Sequence, residues 1–260
     1  TRQGSIASYN SSYIEYVVTI FMFLSGINFT LLYTVSLKGK IRKFLQDTEF
    51  KWYLGTVLTF TAITAVTLYF TTSMGSEESF RKAVFQVVSL QTTTGFVSAD
   101  YATWVPPLWL LLCITMIVGG CAGSTSGAIK CVRLAILSKI CKNEFKRILH
   151  PNAVLPVRVN NATVSQSVRT TLLAFISFYL ALIICGWFAI MCTGVDFMEA
   201  FGITVSSLGN VGPGLGKFGP SFSWSELPAL SKWIASFLML VGRLEVFSVL
   251  LVLTPRFWKR

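Results

Sequence analysis

The residues most able to do chemistry in this chain do it through their main-chain atoms. Two short segments, Thr92-Thr93-Thr94-Gly95-Phe96 and Gly209-Asn210-Val211-Gly212-Pro213-Gly214, each follow a stretch too short to cross a bilayer. Glycine reaches dihedrals that turn successive carbonyl oxygens toward one side. Rings of such oxygens, replacing an ion's hydration shell, are how a pore selects potassium. Thr92, Thr93, Thr94, Gly95, Asn210, Val211 and Gly212 are therefore candidate filter residues, with K+ expected at Thr93, Thr94, Gly95, Asn210, Val211 and Gly212. Either segment alone reads as a turn capping an interfacial helix. Two at matching places in a repeat favour a filter.

A third segment, Gly119-Gly120-Cys121-Ala122-Gly123-Ser124-Thr125-Ser126-Gly127, interrupts an apolar run, Leu108 to Val118. Each glycine costs about 1 kcal/mol relative to alanine inside a helix, so the helix breaks here. Ala128 to Ile140 is expected to resume as a basic amphipathic helix. Irregular backbone at membrane depth survives only where protein buries it or water lines it. Arg243, inside the last apolar run, costs roughly 2.5–3.5 kcal/mol on insertion scales and is functional by default. It is expected as a buried cation below the filter that hydrogen-bonds loop carbonyls and raises the barrier to potassium. Snorkelling to the interface is the blander reading.

Other chemistry is scarce. His150 is the single histidine, which removes most metal and acid–base mechanisms. The six cysteines form no C-x-x-C pair and read as packing residues. Gly123 to Lys130 is no phosphate loop, because its lysine comes three residues after a glycine and no Ser or Thr follows. Ser124 or Ser126 as a peptidase nucleophile lacks a base, since His150 lies in a basic loop.

The elements that carry these segments are membrane helices. Only 13% of the 260 residues are charged and 53% are hydrophobic, whereas soluble domains carry about 25% charged residues. Spans are expected at Tyr13–Val35 (with Gly26 a packing notch and Asn28 an interhelical hydrogen bond), Lys51–Met74, Trp104 onward, Val168–Cys192 and Leu227–Leu253. Ser79–Gln91 and Asp196–Leu208 are too short to span and fit re-entrant helices. Pro151 and Pro156 prevent one continuous helix through the polar tract from Lys130 to Arg169. Of the 22 Lys and Arg, all but Arg2, Arg81, Lys82, Lys217, Lys232 and Arg243 fall on one side, which is expected to be cytoplasmic and to include the C-terminus. Topology accounts for the net charge of +11 without a nucleic-acid partner.

Laying Phe80-Arg81-Lys82-Ala83 on Phe197-Met198-Glu199-Ala200 brings Ser89 onto Ser206 and Gly95 onto Gly212 without gaps. Each copy reads span, short helix, glycine-containing turn, span. Residues 1–50 then form a closing span and linker, 51–150 one full unit with a broken inner helix, and 151–260 another.

With Val241-Gly242-Arg243-Leu244-Glu245-Val246-Phe247 added, these segments resemble the Trk/Ktr/HKT superfamily of potassium transporters, most closely its TrkH-type bacterial subunits. The resemblance runs the whole length. It implies an all-α membrane protein with four span–pore-helix–span repeats around a pseudo-fourfold, potassium-channel-like pore. The third and fourth repeats would be present, with the last span of the second, and two filter segments missing. Gly95 and Gly212 match filter glycines, Gly119 to Gly127 the gating loop, and Arg243 the arginine facing it. Ala128 stands where a further glycine is common.

By the same resemblance the protein is no enzyme and has no covalent cofactor, K+ being its cargo. It would lie in the bacterial inner membrane as a multi-pass homodimer among lipid. The basic tract either fixes topology against anionic lipid or docks a cytosolic nucleotide-binding (NAD/ATP) regulatory ring of TrkA type. A broken-helix secondary transporter is the alternative, distinguished by breaking spanning helices rather than adding parallel pore helices.

Overall fold

The computed structural model describes residues 5–39, 41–153, 155–160, 162–220, 223–244, 254 and 258. Ten α-helices are found among them: α1 (Ser12–Ser25), α2 (Phe29–Lys38), α3 (Ile41–Gln46), α4 (Thr48–Thr71), α5 (Ser76–Gln91), α6 (Pro106–Val118), α7 (Cys131–Leu149), α8 (Gln166–Met191), α9 (Phe197–Gly209) and α10 (Ala229–Arg243). A two-residue antiparallel ladder, β1 (Arg158–Val159) with β2 (Ala162–Thr163), lies between α7 and α8.

Local chemistry sets the helix ends. Asp47 caps α4 by accepting from Phe50 N at 2.9 Å, and Ser165 caps α8 by accepting from Val168 N. Pro106 and Pro107 open α6, where a missing N–H costs nothing. At 24 and 26 residues, α4 and α8 are long and apolar enough to cross a membrane.

The burial pattern separates two kinds of helix. Along α4 only a stripe is buried (Phe50, Tyr53, Val57, Thr61, Thr64, Leu68), while Leu58, Ile63, Val66 and Phe70 face outward. On α8 the stripe is Leu172, Phe175, Tyr179, Ile183 and Ile190, with Leu173, Leu180, Ile184 and Phe188 outside. A soluble helix turns polar residues outward; apolar residues on that face fit lipid. The C-terminal halves of α5 (Phe85–Gln91) and α9 (Gly202–Gly209) are buried on every side. They are enclosed by α4 and α6, and by α8 and α10, respectively. One core joins the two groups through Leu90, Leu112, Met116, Tyr179, Leu208 and Val241.

Four expectations need correction. Tyr13–Val35 is not one straight span: α1 and α2 are bent by 102° at a short break. Asn28 accounts for the bend, because its side chain caps α2 by accepting from Thr30 N at 2.9 Å; its expected role as simply an interhelical link was incomplete. Gly26 is indeed a notch, since a Cβ there would stand 2.5 Å from the Tyr53 hydroxyl. The helix after the glycine loop begins at Cys131, not Ala128, because Ala128 and Lys130 hold φ of 61° and 75°, outside helical geometry. The first short helix begins at Ser76, three residues before its expected start. The expected last span is helical to Arg243, and its remainder lies outside the described residues, apart from Leu244.

Candidate functional site

The turns after α5 and α9 share one backbone construction, 117 residues apart. Thr93 N donates to Leu90 O, and Asn210 N donates to Ser207 O. Thr94 N donates to Ser89 O at 2.9 Å, and Val211 N to Ser206 O at 3.0 Å. Thr93 and Asn210 both hold φ of 55°, and Gly95 and Gly212 follow at 74° and 115°. Such dihedrals take the chain out of the helix and stop its carbonyls pointing back along the axis. Among the described residues, no donor reaches the carbonyl oxygens of Thr93, Thr94, Gly95, Asn210, Val211 or Gly212. Val211 is buried, Thr93, Thr94, Gly95 and Asn210 are half-buried and Gly212 is exposed, so the two turns together present an acceptor-rich surface whose oxygens are not used by the rest of the fold.

The two turns meet. A Cβ built on Gly95 would stand 2.1 Å from the Val211 carbonyl oxygen and 3.2 Å from Pro213. Polar residues of the buried short helix hold the first turn: Ser89 Oγ donates to Phe96 O at 2.6 Å, and Gln86 Nε2 to Ala99 O at 2.8 Å. The second turn is tied to the first unit by the Tyr101 hydroxyl, which donates to Gly214 O at 2.8 Å. Burial pushes that hydroxyl well above the ordinary tyrosine range, so it stays a donor. Thr92 contributes differently from its neighbours. Its hydroxyl bonds Val88 O and Thr94 Oγ1, and so braces the turn.

The glycine loop lies against both turns. Gly127 N donates to Thr93 Oγ1 at 3.0 Å, and a Cβ on Gly127 would stand 2.4 Å from Gly209 O. The bent first pair of helices completes the loop's hydrogen bonding. Cys121 N donates to Gly26 O at 2.9 Å, and Phe29 N donates to Gly123 O at 3.2 Å. The two breaks thus satisfy each other's freed groups. Within the loop, Ser126 Oγ accepts from Gly120 N at 3.1 Å, and Ser124 Oγ bonds Cys121 O at 2.6 Å. Ala122 N donates to the Glu49 carboxylate.

Arg243 Nη1 donates to Thr125 O at 3.1 Å, so this side chain does reach a loop carbonyl. It is exposed rather than buried. Its guanidinium borders a polar cavity of about 140 Å³, lined by Ser124, Thr125, Lys130, Arg133, Tyr179 and Arg243 among others. Next to it, Gly242 lets α10 close onto α9, since a Cβ there would stand 2.0 Å from Leu208 O. Cys113, Cys121 and Cys131 are buried free thiols, and no metal-binding group of His, Cys, Asp and Glu occurs among the described residues.

Sequence reasoning overlooked Glu49, Tyr101 and the Gly26 carbonyl. Glu49 is an acidic residue just before an apolar span, an ordinary place for one, and only the structure shows that it is 7% exposed. The other two carried no signal either, because a tyrosine between spans is ordinary and a glycine within a span reads as a packing notch.

Comparison with known proteins gives one consistent result. The family of TrkH cation transport proteins matches residues 1–260. The Trk system potassium uptake protein TrkH of Halomonas elongata is 35% identical over 260 residues, covering all of this chain and 54% of that protein. The protein of the same name from Escherichia coli (strain K12) is 36% identical, again over the whole chain and 53% of its own length. The crystal structure of the potassium transporter TrkH from Vibrio parahaemolyticus superposes with a TM-score of 0.91 at 32% identity, covering 98% of this chain and 55% of that one. The chain spans about half the length of the curated relatives it matches.

Proposed function

The chain belongs to the TrkH family of cation transport proteins, and on that premise we propose that it forms half of a potassium-conducting pore. The observation that carries the reading is the pair of touching turns whose carbonyl oxygens accept no hydrogen bond among the described residues. In this reading Thr93, Thr94, Gly95, Asn210, Val211 and Gly212 present oxygens to a dehydrated cation, and the order long helix, short helix, turn, helix supplies two of four quarters. Each short helix ends at its turn, so the negative end of its dipole faces the ion. No bond-making chemistry is involved.

Gly119 to Gly127 is the gate in this reading. The loop sits between the turns and the Arg243 cavity, so it blocks the axis until it moves, and Arg243 adds an electrostatic barrier. Residues 1–50, 51–150 and 151–260 serve as a closing span, a unit with a broken inner helix and a second unit. In the same reading the basic residues of α7 favour a bacterial inner membrane with this tract and the C-terminus on the cytoplasmic side. That tract is also the face for a homodimer's regulatory ring of nucleotide-binding subunits. The relatives' names, which speak of a Trk system, support a multi-component assembly.

A cation-coupled carrier is favoured by one feature, the bend between α1 and α2, since carriers break spanning helices. The repeated turns weigh more, because a carrier has no use for two unbonded carbonyl runs in register. The test is growth of cells lacking their own potassium uptake. The full-length protein should restore growth at low potassium, and Gly95→Ala should abolish it. Sodium-coupled uptake that survives Gly95→Ala would favour the carrier.

A further inference from the structure

Glu49 has no role in the reading above, although its carboxylate sits where three parts of the fold meet. One oxygen accepts from Ala122 N inside the glycine loop. The same carboxylate faces the Asn28 side chain, at the bend between α1 and α2, and the backbone N–H of Val132, at the start of α7. It therefore lies against the loop itself and the start of the helix that follows it. Among the described residues no Lys or Arg forms a salt bridge with it. At 7% exposure, a carboxylate without a cation is tolerable only while N–H donors surround it. Ala122 supplies such a donor at hydrogen-bond distance, with the Val132 N–H and the Asn28 side chain near enough to favour the charged form, and they do so only while the loop and α7 stay where they are.

The bland account makes Glu49 an acidic residue in the first turn of α4, favoured by the helix dipole. Asp47 already performs that service by capping Phe50 N at 2.9 Å. Asp47 also bonds Asn160, in the loop after α7. The dipole argument needs no contact with Ala122. It also does not explain why the side chain is buried toward the loop.

We propose that Glu49 is a positioning residue, the latch that holds the glycine loop shut by joining α4 to Ala122 and to the start of α7. The inference rests on the gating role assigned above to Gly119–Gly127. A pull on α7 withdraws Val132 and loosens the loop in one movement, and the uncovered carboxylate is then hydrated instead. The latch thus couples a cytosolic displacement to the axis without any group that touches the ion.

Cys121, buried and fully enclosed beside Ala122, reports on the loop independently of transport. In the full-length protein in proteoliposomes, maleimide modification of Cys121 is followed by peptide mass spectrometry, in parallel with rubidium-tracer flux. Glu49→Ala should raise both the labelling rate and the flux about tenfold, the scale of a lost hydrogen bond to a charged acceptor. Glu49→Gln keeps a neutral acceptor of the same shape, so it should fold and should raise labelling only a few-fold. Wild-type labelling rates in both variants would overturn the latch. Flux absent from the wild type would sink the transport reading instead, and the labelling comparison would still decide the role of Glu49.

Discussion

The two helices that follow the turns start alike and end differently. α6 and α10 both begin beside a proline, at Pro106 and after Pro228, and both pack against α9. α6 leaves helical geometry at Gly119, where φ reaches 71°, and the chain crosses as a loop to Cys131. α10 continues through Leu240, Val241 and Gly242 to Arg243. The composition at matching depth explains the divergence. One unit places four glycines within nine residues, while the other has one glycine among helix formers. The turns themselves are the reverse case: their sequences share little beyond a glycine, yet the bonds that close them, from residues 93 and 94 and from residues 210 and 211, go to matching carbonyls. Side-chain identity decides where a helix breaks, whereas the frame around the turns needs only a few permissive positions.

The strongest way to break this comparison is at the glycines of the turns. Gly95→Ala places a methyl group against the Val211 carbonyl at 2.1 Å and strains a φ of 74°. Potassium uptake should fall about 100-fold or more, since overpacking and left-handed strain add to several kcal/mol. Gly212→Ala meets nothing within 4 Å and carries only backbone strain at φ 115°. Its uptake should fall by about tenfold, a cost near 1–3 kcal/mol. Equal losses in tracer uptake would show that the two turns are not packed as described.

Next in size is Gly242→Ala, which sets a methyl group 2.0 Å from Leu208 O and pushes α10 off α9. Thermal unfolding in detergent should show a loss of about 1–3 kcal/mol; an unchanged midpoint would contradict the close helix contact. Arg243→Ala removes the bond to Thr125 O and the charge in the cavity. Steady-state flux should rise about tenfold, equivalent to 1.4 kcal/mol off the barrier. Unchanged flux would reject the barrier and leave the arginine a cavity residue.

The smallest effect is expected at Ala128, whose φ of 61° a glycine adopts freely. Ala128→Gly should stabilise the protein by up to about 1 kcal/mol. A destabilised variant would show that the methyl group packs well enough to offset its strain.

The sequence revealed much of this arrangement and concealed some of it for identifiable reasons. The glycine break, the short helices and the offset of 117 were legible because they depend on residue types and spacing. The bend at Asn28 was not, since an asparagine in an apolar run caps a helix or bonds a neighbour with equal local plausibility. The resumption at Cys131 was hidden because Ala128 and Lys130 are ordinary helix formers, held out of helical geometry by bonds from residues 129 and 130 to the end of α6. Arg243 was expected in an apolar span and so buried; it borders instead a polar cavity whose lining includes Tyr179, more than 60 positions away and beyond the reach of local sequence reading. Glu49 was passed over because carboxylates at helix starts are common, and only its contact with Ala122 sets it apart.

The central claim is that a dehydrated cation sits against the carbonyls of the two turns. Anomalous diffraction from rubidium-soaked crystals of the full-length protein tests it most directly. The account predicts density within coordination distance of the Thr93–Gly95 and Asn210–Gly212 carbonyl oxygens, on the side opposite the glycine loop. Density only at the Arg243 cavity or beside the bend between α1 and α2, with the two turns empty, would contradict it.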